Sequence, residues 1–217
     1  MQTGNNIMKL QVAIDLPTTT DALALLEKVA SSVDIIEIGT PLVKAEGLAV
    51  LKALKAAYPE KELFADYKTM DAGKLEATMA FEAGADSVGV LALANDATIV
   101  GAVKAGRAHN KRVVADLIGV PPQARLTRIA ELRELGVEHV ELHAGLDEQA
   151  APGYSVSTLL ETIAGSSLPF AVAGGINIST VGIVKNAGAS IAVVGGGIYG
   201  AEDPAEAAKA LRTAIIA

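Results

Sequence analysis

Eight short runs of β-branched and apolar residues recur along the chain, each separated from the next by a helix-length interval, and few folds accommodate such a repeat. The runs cover residues 10–16, 34–39, 62–67, 86–91, 112–118, 138–143, 169–173 and 191–195. Landmarks taken one per run, from Asp15 to Val194, stand about 26 residues apart, the length of one strand, one helix and two tight loops. In 217 residues this leaves nothing over for a second domain. The intervals carry helix punctuation. Thr18, Thr19, Thr20 and Asp21 form an N-cap cluster, Pro121-Pro122 can open a helix running toward Leu135, and Asp203-Pro204 opens the last one. Gly84, Gly136 and Gly188, spaced 52 residues apart, each read as a helix stop followed by a new strand. Eight parallel units with short connections close most naturally into an α/β fold of the (β/α)8 TIM-barrel kind, a single domain over residues 8–217. An open doubly wound sheet would need a glycine-rich turn after the first strand, where this chain has Asp15-Leu16-Pro17-Thr18. Residues 1–7, polar, patternless and ahead of a second methionine, read as a disordered N-terminal extension.

Composition narrows the function. The chain has 18 Lys and Arg against 25 Asp and Glu, a net charge of −7, with no basic run and no Trp, so nucleic-acid binding is not expected. Its apolar runs are broken well short of the ~20 residues a membrane crossing needs, and no leader pattern marks secretion, so the expected location is the cytoplasm. Without cysteine, disulfides, thiolate metal sites and cysteine nucleophiles are all excluded. Small-molecule substrates are the better expectation.

In a barrel of this kind the active site lies at the C-terminal ends of the strands. Asp15, Glu37, Asp66, Lys68, Asp71, Asp116 and His143 all fall there. An acid just after a strand is often only a helix N-cap, Asp71 included. Acids set into apolar runs are another matter, because burying them without a partner is costly. The sharpest element is Asp66-Tyr67-Lys68-Thr69-Met70-Asp71. Strand alternation would bring Asp66 and Lys68 to one side, and the flanking carboxylates would raise the Lys68 pKa, making it an electrostatic stabiliser or proton donor and a poor base. The base role falls to His143, whose ordinary pKa of about 6.5 suits it, while His109 and His139 sit away from the rim and take no role. Glu37 and Asp66 end neighbouring strands and offer two hard oxygen ligands, a match for Mg²⁺ with waters and substrate oxygens. Zinc would want more histidine. Gly174-Gly175 and Gly195-Gly196-Gly197 follow the seventh and eighth strands, where barrels commonly bind phosphate through backbone N–H groups, so a phosphosugar ligand is expected.

These residues carry a resemblance. Through Asp66-x-Lys68-x-x-Asp71 the chain resembles the orotidine 5′-monophosphate decarboxylase superfamily, and from Leu10 to its end it is similar to the 3-hexulose-6-phosphate synthase family. The supporting segments are residues 11–15, 36–41, 65–73, 96–99, 116–118 and 143–147, and the two glycine clusters. Ala72-Gly73 stand where the founding decarboxylase has Ile-Pro. Ala144 and Leu146 stand where 3-keto-L-gulonate-6-phosphate decarboxylase, the alternative reading, carries arginine shortly after the histidine, and Asp116 and Ile118 stand where it has Glu and Thr. A third possibility is a non-catalytic phosphosugar-binding barrel, against which the crowding of Glu37, Asp66, Lys68 and His143 counts.

The resemblance implies a Mg²⁺-dependent aldol addition of formaldehyde to D-ribulose 5-phosphate through an enediolate. His143, Lys68, Asp66 and Asp71 would be catalytic, and Glu37 and Asp66 would hold the metal. Asp15, Asp116, Gly174, Gly175, Gly195 and Gly196 would bind substrate. It also implies a homodimer in which Asp71 reaches the partner's site.

Overall fold

Alternation along the strands decides what each face of this protein can do. In the computed structural model, which describes residues 7–217, the strands β1 (Lys9–Ile14), β2 (Ile35–Ile38), β3 (Glu62–Thr69), β4 (Ser87–Leu91), β5 (Arg112–Asp116), β6 (His139–His143), β7 (Phe170–Ala173) and β8 (Ile191–Val194) pair in chain order. All pairs are parallel, and β8 returns to β1 to close the barrel. The (β/α)8 barrel expected from the repeat is therefore the fold observed. Of the extension expected over residues 1–7, all but Ile7 lies outside the described residues.

Leu10, Val12 and Ile14 of β1, Ile36 and Ile38 of β2, and Val140 and Leu142 of β6 turn outward into the main core between strands and helices. Ala13, Ile35, Phe64, Val114, Ala171, Ala173, Ile191 and Val193 form a separate inner cluster along the barrel axis. Buried area on two sides is what lets short β-branched strands hold together, each fully buried Ile, Leu or Val contributing roughly 1.5–3 kcal/mol. Residues sharing the inward parity with that cluster include Gln11, Glu37, Asp66, Asp116, Glu141 and His143, so the pattern that builds the core also aims polar side chains at the axis.

Helix boundaries follow local chemistry. Thr18 caps helix Thr19–Val29 by accepting from the Asp21 N–H, and Asp203 caps Pro204–Ile216 by accepting from Ala205 and Glu206. Gly84, Gly136 and Gly188 take φ of 110°, 91° and 82°, the left-handed turn that stops a helix. Pro122–Ala124 forms a 3₁₀ turn before helix Arg125–Glu134 rather than its first turn. Two strands end two residues before their apolar runs do. β5 stops at Asp116 because its carboxylate accepts from the Ile118 N–H at 2.8 Å, turning the chain away from the ladder. β1 stops at Ile14, which places Asp15 on the rim. Among the described residues no helix is long and apolar enough to cross a membrane.

Candidate active site

A cavity of about 690 Å³ opens at the C-terminal mouth of the barrel. Asp15, Glu37, Asp66, Lys68, His143, Gly174, Gly175, Gly195 and Gly196 all line it, so nine of the residues singled out in the sequence meet in one place. Two do not. Asp71 is exposed and borders a separate surface depression with Asn95, Asp96 and Arg128, and Asp116 lies beneath the wall at 2% exposure.

The polar array begins on β3. Lys68 Nζ donates to Asp66 Oδ1 at 2.9 Å and Oδ2 at 2.7 Å, and Thr40 donates to Asp66 Oδ2 at 2.8 Å. Simple alternation is not what joins the pair. The β3–β4 register shifts between Ala65 and Thr69, and Lys68 itself adopts φ 47°, a left-handed conformation uncommon outside glycine. This bulge swings Lys68 over the axis, where its Nζ also lies 3.2 Å from Asp116 Oδ2. Burial alone would lower the Lys68 pKa, but Asp66 and Asp116 outweigh it and hold the ammonium above the ordinary lysine value.

Asp116 continues the chain of contacts. Its Oδ2 lies 3.0 Å from His143 Nδ1 while Oδ1 takes the Ile118 N–H, so both oxygens are engaged. Asp116 was expected among the substrate-binding residues. Its depth and its partners instead suit a group that positions Lys68 and His143. Burial raises its pKa, but the hydrogen bond and charge of His143 prevail and lower it. Glu141, two residues before His143 on β6, places Oε1 3.3 Å from the same Nδ1. Burial would lower the His143 pKa, yet these two carboxylates push it up to about 11. The premise of an unperturbed imidazole is therefore corrected: in the protein alone the ring holds its proton near neutral pH.

Glu37 is buried, and its Oε2 accepts from Gln11 Nε2 at 2.7 Å. Burial, then the charges of Glu141 and Asp66, raise its pKa well above the carboxylate range. Five acids (Asp15, Glu37, Asp66, Asp116, Glu141) thus gather about Lys68 and His143, an excess of negative charge in a low-dielectric setting. A hard divalent cation fits that donor set. Among the described residues one group of three donors has its ligand atoms within 4.8 Å of one another, Asp116, Glu141 and His143, but His143 Nδ1 can serve both neighbouring carboxylates only as a hydrogen-bond donor. The carboxylates of Glu37 and Asp66 line the cavity.

The opposite wall is backbone. Gly174 at φ 115° and Gly175 at φ 67° follow β7, and a Cβ on Gly174 would stand 2.7 Å from the Ala144 carbonyl oxygen. Tyr154 donates to the Gly174 carbonyl at 2.8 Å and steadies this loop. After β8 the short helix Gly196–Tyr199 begins, its first N–H groups lacking intrahelical partners. His139 and His109 stay out of the site, as expected. His139 sits 2.7 Å from Ser190 with its pKa lowered to about 4, mainly by burial, and His109 packs against Phe81.

Gln11, Thr40, Glu141 and Tyr154 escaped the sequence reading. Gln11 and Glu141 had a signal, the inward parity shared with Ala13 and His143. Thr40 and Tyr154 act across loops and had none.

The profile of the orotidine 5′-phosphate decarboxylase / HUMPS family matches residues 8–211. The chain is 60% identical to the 3-hexulose-6-phosphate synthase of Mycobacterium gastri over 208 residues, 96% of this chain and 100% of that one. A crystal structure of 3-hexulose-6-phosphate synthase superposes with a TM-score of 0.92 at 60% identity, covering 95% of this chain and 99% of the other. The 3-keto-L-gulonate-6-phosphate decarboxylase of Vibrio cholerae superposes with a TM-score of 0.85 at 30% identity, covering 96% of this chain and 97% of that one.

Proposed function

The chain belongs to the orotidine 5′-phosphate decarboxylase / HUMPS family, and from that premise we propose that it is an enzyme catalysing the 3-hexulose-6-phosphate synthase reaction. In that reaction formaldehyde adds to D-ribulose 5-phosphate to give D-arabino-hex-3-ulose 6-phosphate, reversibly. One observation carries the reading. The Asp66–Lys68–Asp116–His143 chain of contacts and the two glycine loops face each other across one cavity of a size for a phosphosugar, in a chain so similar to a synthase.

The glycine loops at 174–175 and 195–196 bind the phosphate, and that anchoring energy orients the small reactive end. Asp15, on the rim beside Lys68, takes substrate hydroxyls. His143 exchanges the substrate C1 proton at Nε2, since Nδ1 is turned to Asp116 and Glu141. Loss of that proton leaves an enediolate, whose developing negative oxygen is met by the Lys68 ammonium. Its C1 forms the new bond to the formaldehyde carbon, and the aldehyde oxygen takes up the proton that His143 carries. In cleavage the same steps run backwards: neutral His143 takes the proton of the hydroxyl on the terminal carbon, the carbon–carbon bond breaks to release formaldehyde, and the imidazolium, which Asp116 and Glu141 favour, returns a proton to C1 of the enediolate. Glu37 and Asp66 would hold Mg²⁺, which supplies Lewis-acid polarisation of the ketose oxygens.

Asp71 completes the site from a second copy of the chain. Its exposed position is accompanied by uncovered apolar side chains at Met70, Leu75 and Met79, the last two one turn apart on helix Gly73–Glu82. Work on formaldehyde and a sugar phosphate fits a cytoplasmic enzyme. The test is direct: with ¹³C-formaldehyde and D-ribulose 5-phosphate, the label should enter C1 of a hexulose phosphate, and label remaining in formaldehyde would refute the proposal.

A further inference from the structure

Two carbonyls of the loop after β7 are tied to side chains, and these anchors decide where its N–H groups point. Tyr154 Oη donates to the Gly174 carbonyl at 2.8 Å, and Thr180 Oγ1 donates to the Gly175 carbonyl at 3.1 Å. In a planar trans peptide the carbonyl of one residue and the N–H of the next point in opposite directions. Pinning the two oxygens therefore turns the Gly175 and Ile176 N–H groups away from the anchors, and neither N–H has a hydrogen-bond partner among the described residues. Both residues line the mouth cavity. Glycine loses more freedom on ordering than any other residue, so the Gly174-Gly175 pair at positive φ does not hold one conformation by itself. Thr180 belongs to the same loop. Tyr154 comes from outside it, on the connection between helices Leu146–Gln149 and Val156–Glu161 that leaves β6 after His143. Its ring also fills the space beside the glycines, since a Cβ on Gly175 would stand 3.4 Å from Tyr154 Cε1. Burial, then the charge of Glu148, raise the Tyr154 pKa, which keeps the hydroxyl protonated and able to donate.

We infer that Tyr154 is a positioning residue for the substrate phosphate: its hydroxyl, through the Gly174 carbonyl, sets the Gly175 N–H toward the anion. The inference rests on the reading of the two glycine loops as the phosphate site. Tyr154 is not among the residues lining the cavity, so it acts through the backbone it holds. A cradle formed in advance spares the phosphate the cost of ordering the loop. The phosphate is held alike before and during bond formation, so the anchor supports affinity rather than the chemical step.

Inorganic phosphate is the probe, bound to the whole enzyme in equilibrium dialysis, beside steady-state kinetics of the condensation. Tyr154→Phe keeps the ring and removes the hydroxyl. It should weaken phosphate binding and raise KM for D-ribulose 5-phosphate by roughly three- to tenfold, the worth of one hydrogen bond, while kcat and KM for formaldehyde stay within about twofold. Gly196→Glu is the control for the site itself. A Cβ at Gly196 meets nothing within 4 Å, so the change adds a negative charge without crowding the second loop, and phosphate binding should be lost. Thermal melting of each variant establishes that it is folded. Wild-type phosphate affinity in Tyr154→Phe, with loss in Gly196→Glu, overturns the inference alone. A fall in kcat at unchanged KM and phosphate affinity also overturns it, since the hydroxyl would then serve the chemistry and not the cradle. Unchanged phosphate binding in both variants removes the phosphate reading of the glycine loops, and this inference with it.

Discussion

His143 presents Nδ1 to Asp116 Oδ2 at 3.0 Å, and Asp116 is the residue through which the imidazole is connected to Lys68, 3.2 Å away on the same oxygen. A carboxylate so placed fixes the ring's tautomer, leaves Nε2 to the substrate and stabilises the protonated form.

The first prediction concerns that stabilisation. Followed by NMR in the cation-free protein, the His143 ring should titrate near 11 and not near 6.5. Asp116→Asn should bring the midpoint down by roughly 1–3 pH units. Because the folded pKa is raised, the contribution of His143 to stability is complete below about 6.5 and is lost as pH rises toward about 11. Mg²⁺ should lower the midpoint by adding positive charge to the cluster. A wild-type midpoint near 6.5 would show that Asp116 and Glu141 do not hold the ring as described.

A second prediction concerns the metal and its support. Exhaustive chelation should abolish formaldehyde consumption and Mg²⁺ should restore it. Gln11 is not among the residues lining the mouth cavity, yet its 2.7 Å hydrogen bond holds Glu37 Oε2, so Gln11→Ala should weaken Mn²⁺ binding by roughly 10- to 100-fold. Full activity in chelated enzyme would remove the metal from the reaction, and unchanged Mn²⁺ affinity would remove Gln11 from its support.

The third prediction tests Asp71. Asp66→Ala and Asp71→Ala, each inactive alone, are unfolded together and refolded as a mixture. In a mixed dimer the Asp71→Ala chain keeps its own Asp66 and borrows Asp71, giving one complete site. Random pairing should then restore roughly a quarter of wild-type activity. Mixed dimers that form and stay inactive would mean that Asp71 serves its own chain.

What the sequence disclosed followed from periodicity. Runs such as Gln11-Val12-Ala13-Ile14 and Ile35-Ile36-Glu37-Ile38 announce strands, their interval announces the barrel, and the barrel tells which strand ends matter. Asp15, Glu37, Asp66, Lys68 and His143 were legible because they close such runs at the mouth. Glu141 was passed over although Glu141-Leu142-His143 has the period that aims two side chains inward together. The depth of Asp116 depends on the turn its own carboxylate makes, and the reach of Lys68 depends on a left-handed residue at a bulge. Neither has a local signature in residue types. The His143 pKa could not be read from one segment, being the resultant of acids on two strands.

Chemistry at C1 separates this enzyme from its nearest functional alternative. Ile118 and Leu146 line the cavity, and no arginine does. The decisive measurement is therefore a comparison of kcat/KM on one preparation with Mg²⁺ present: formaldehyde consumption with D-ribulose 5-phosphate against carbon dioxide release from 3-keto-L-gulonate 6-phosphate. Condensation with formaldehyde should be the faster reaction. Faster decarboxylation of the gulonate would contradict the synthase assignment.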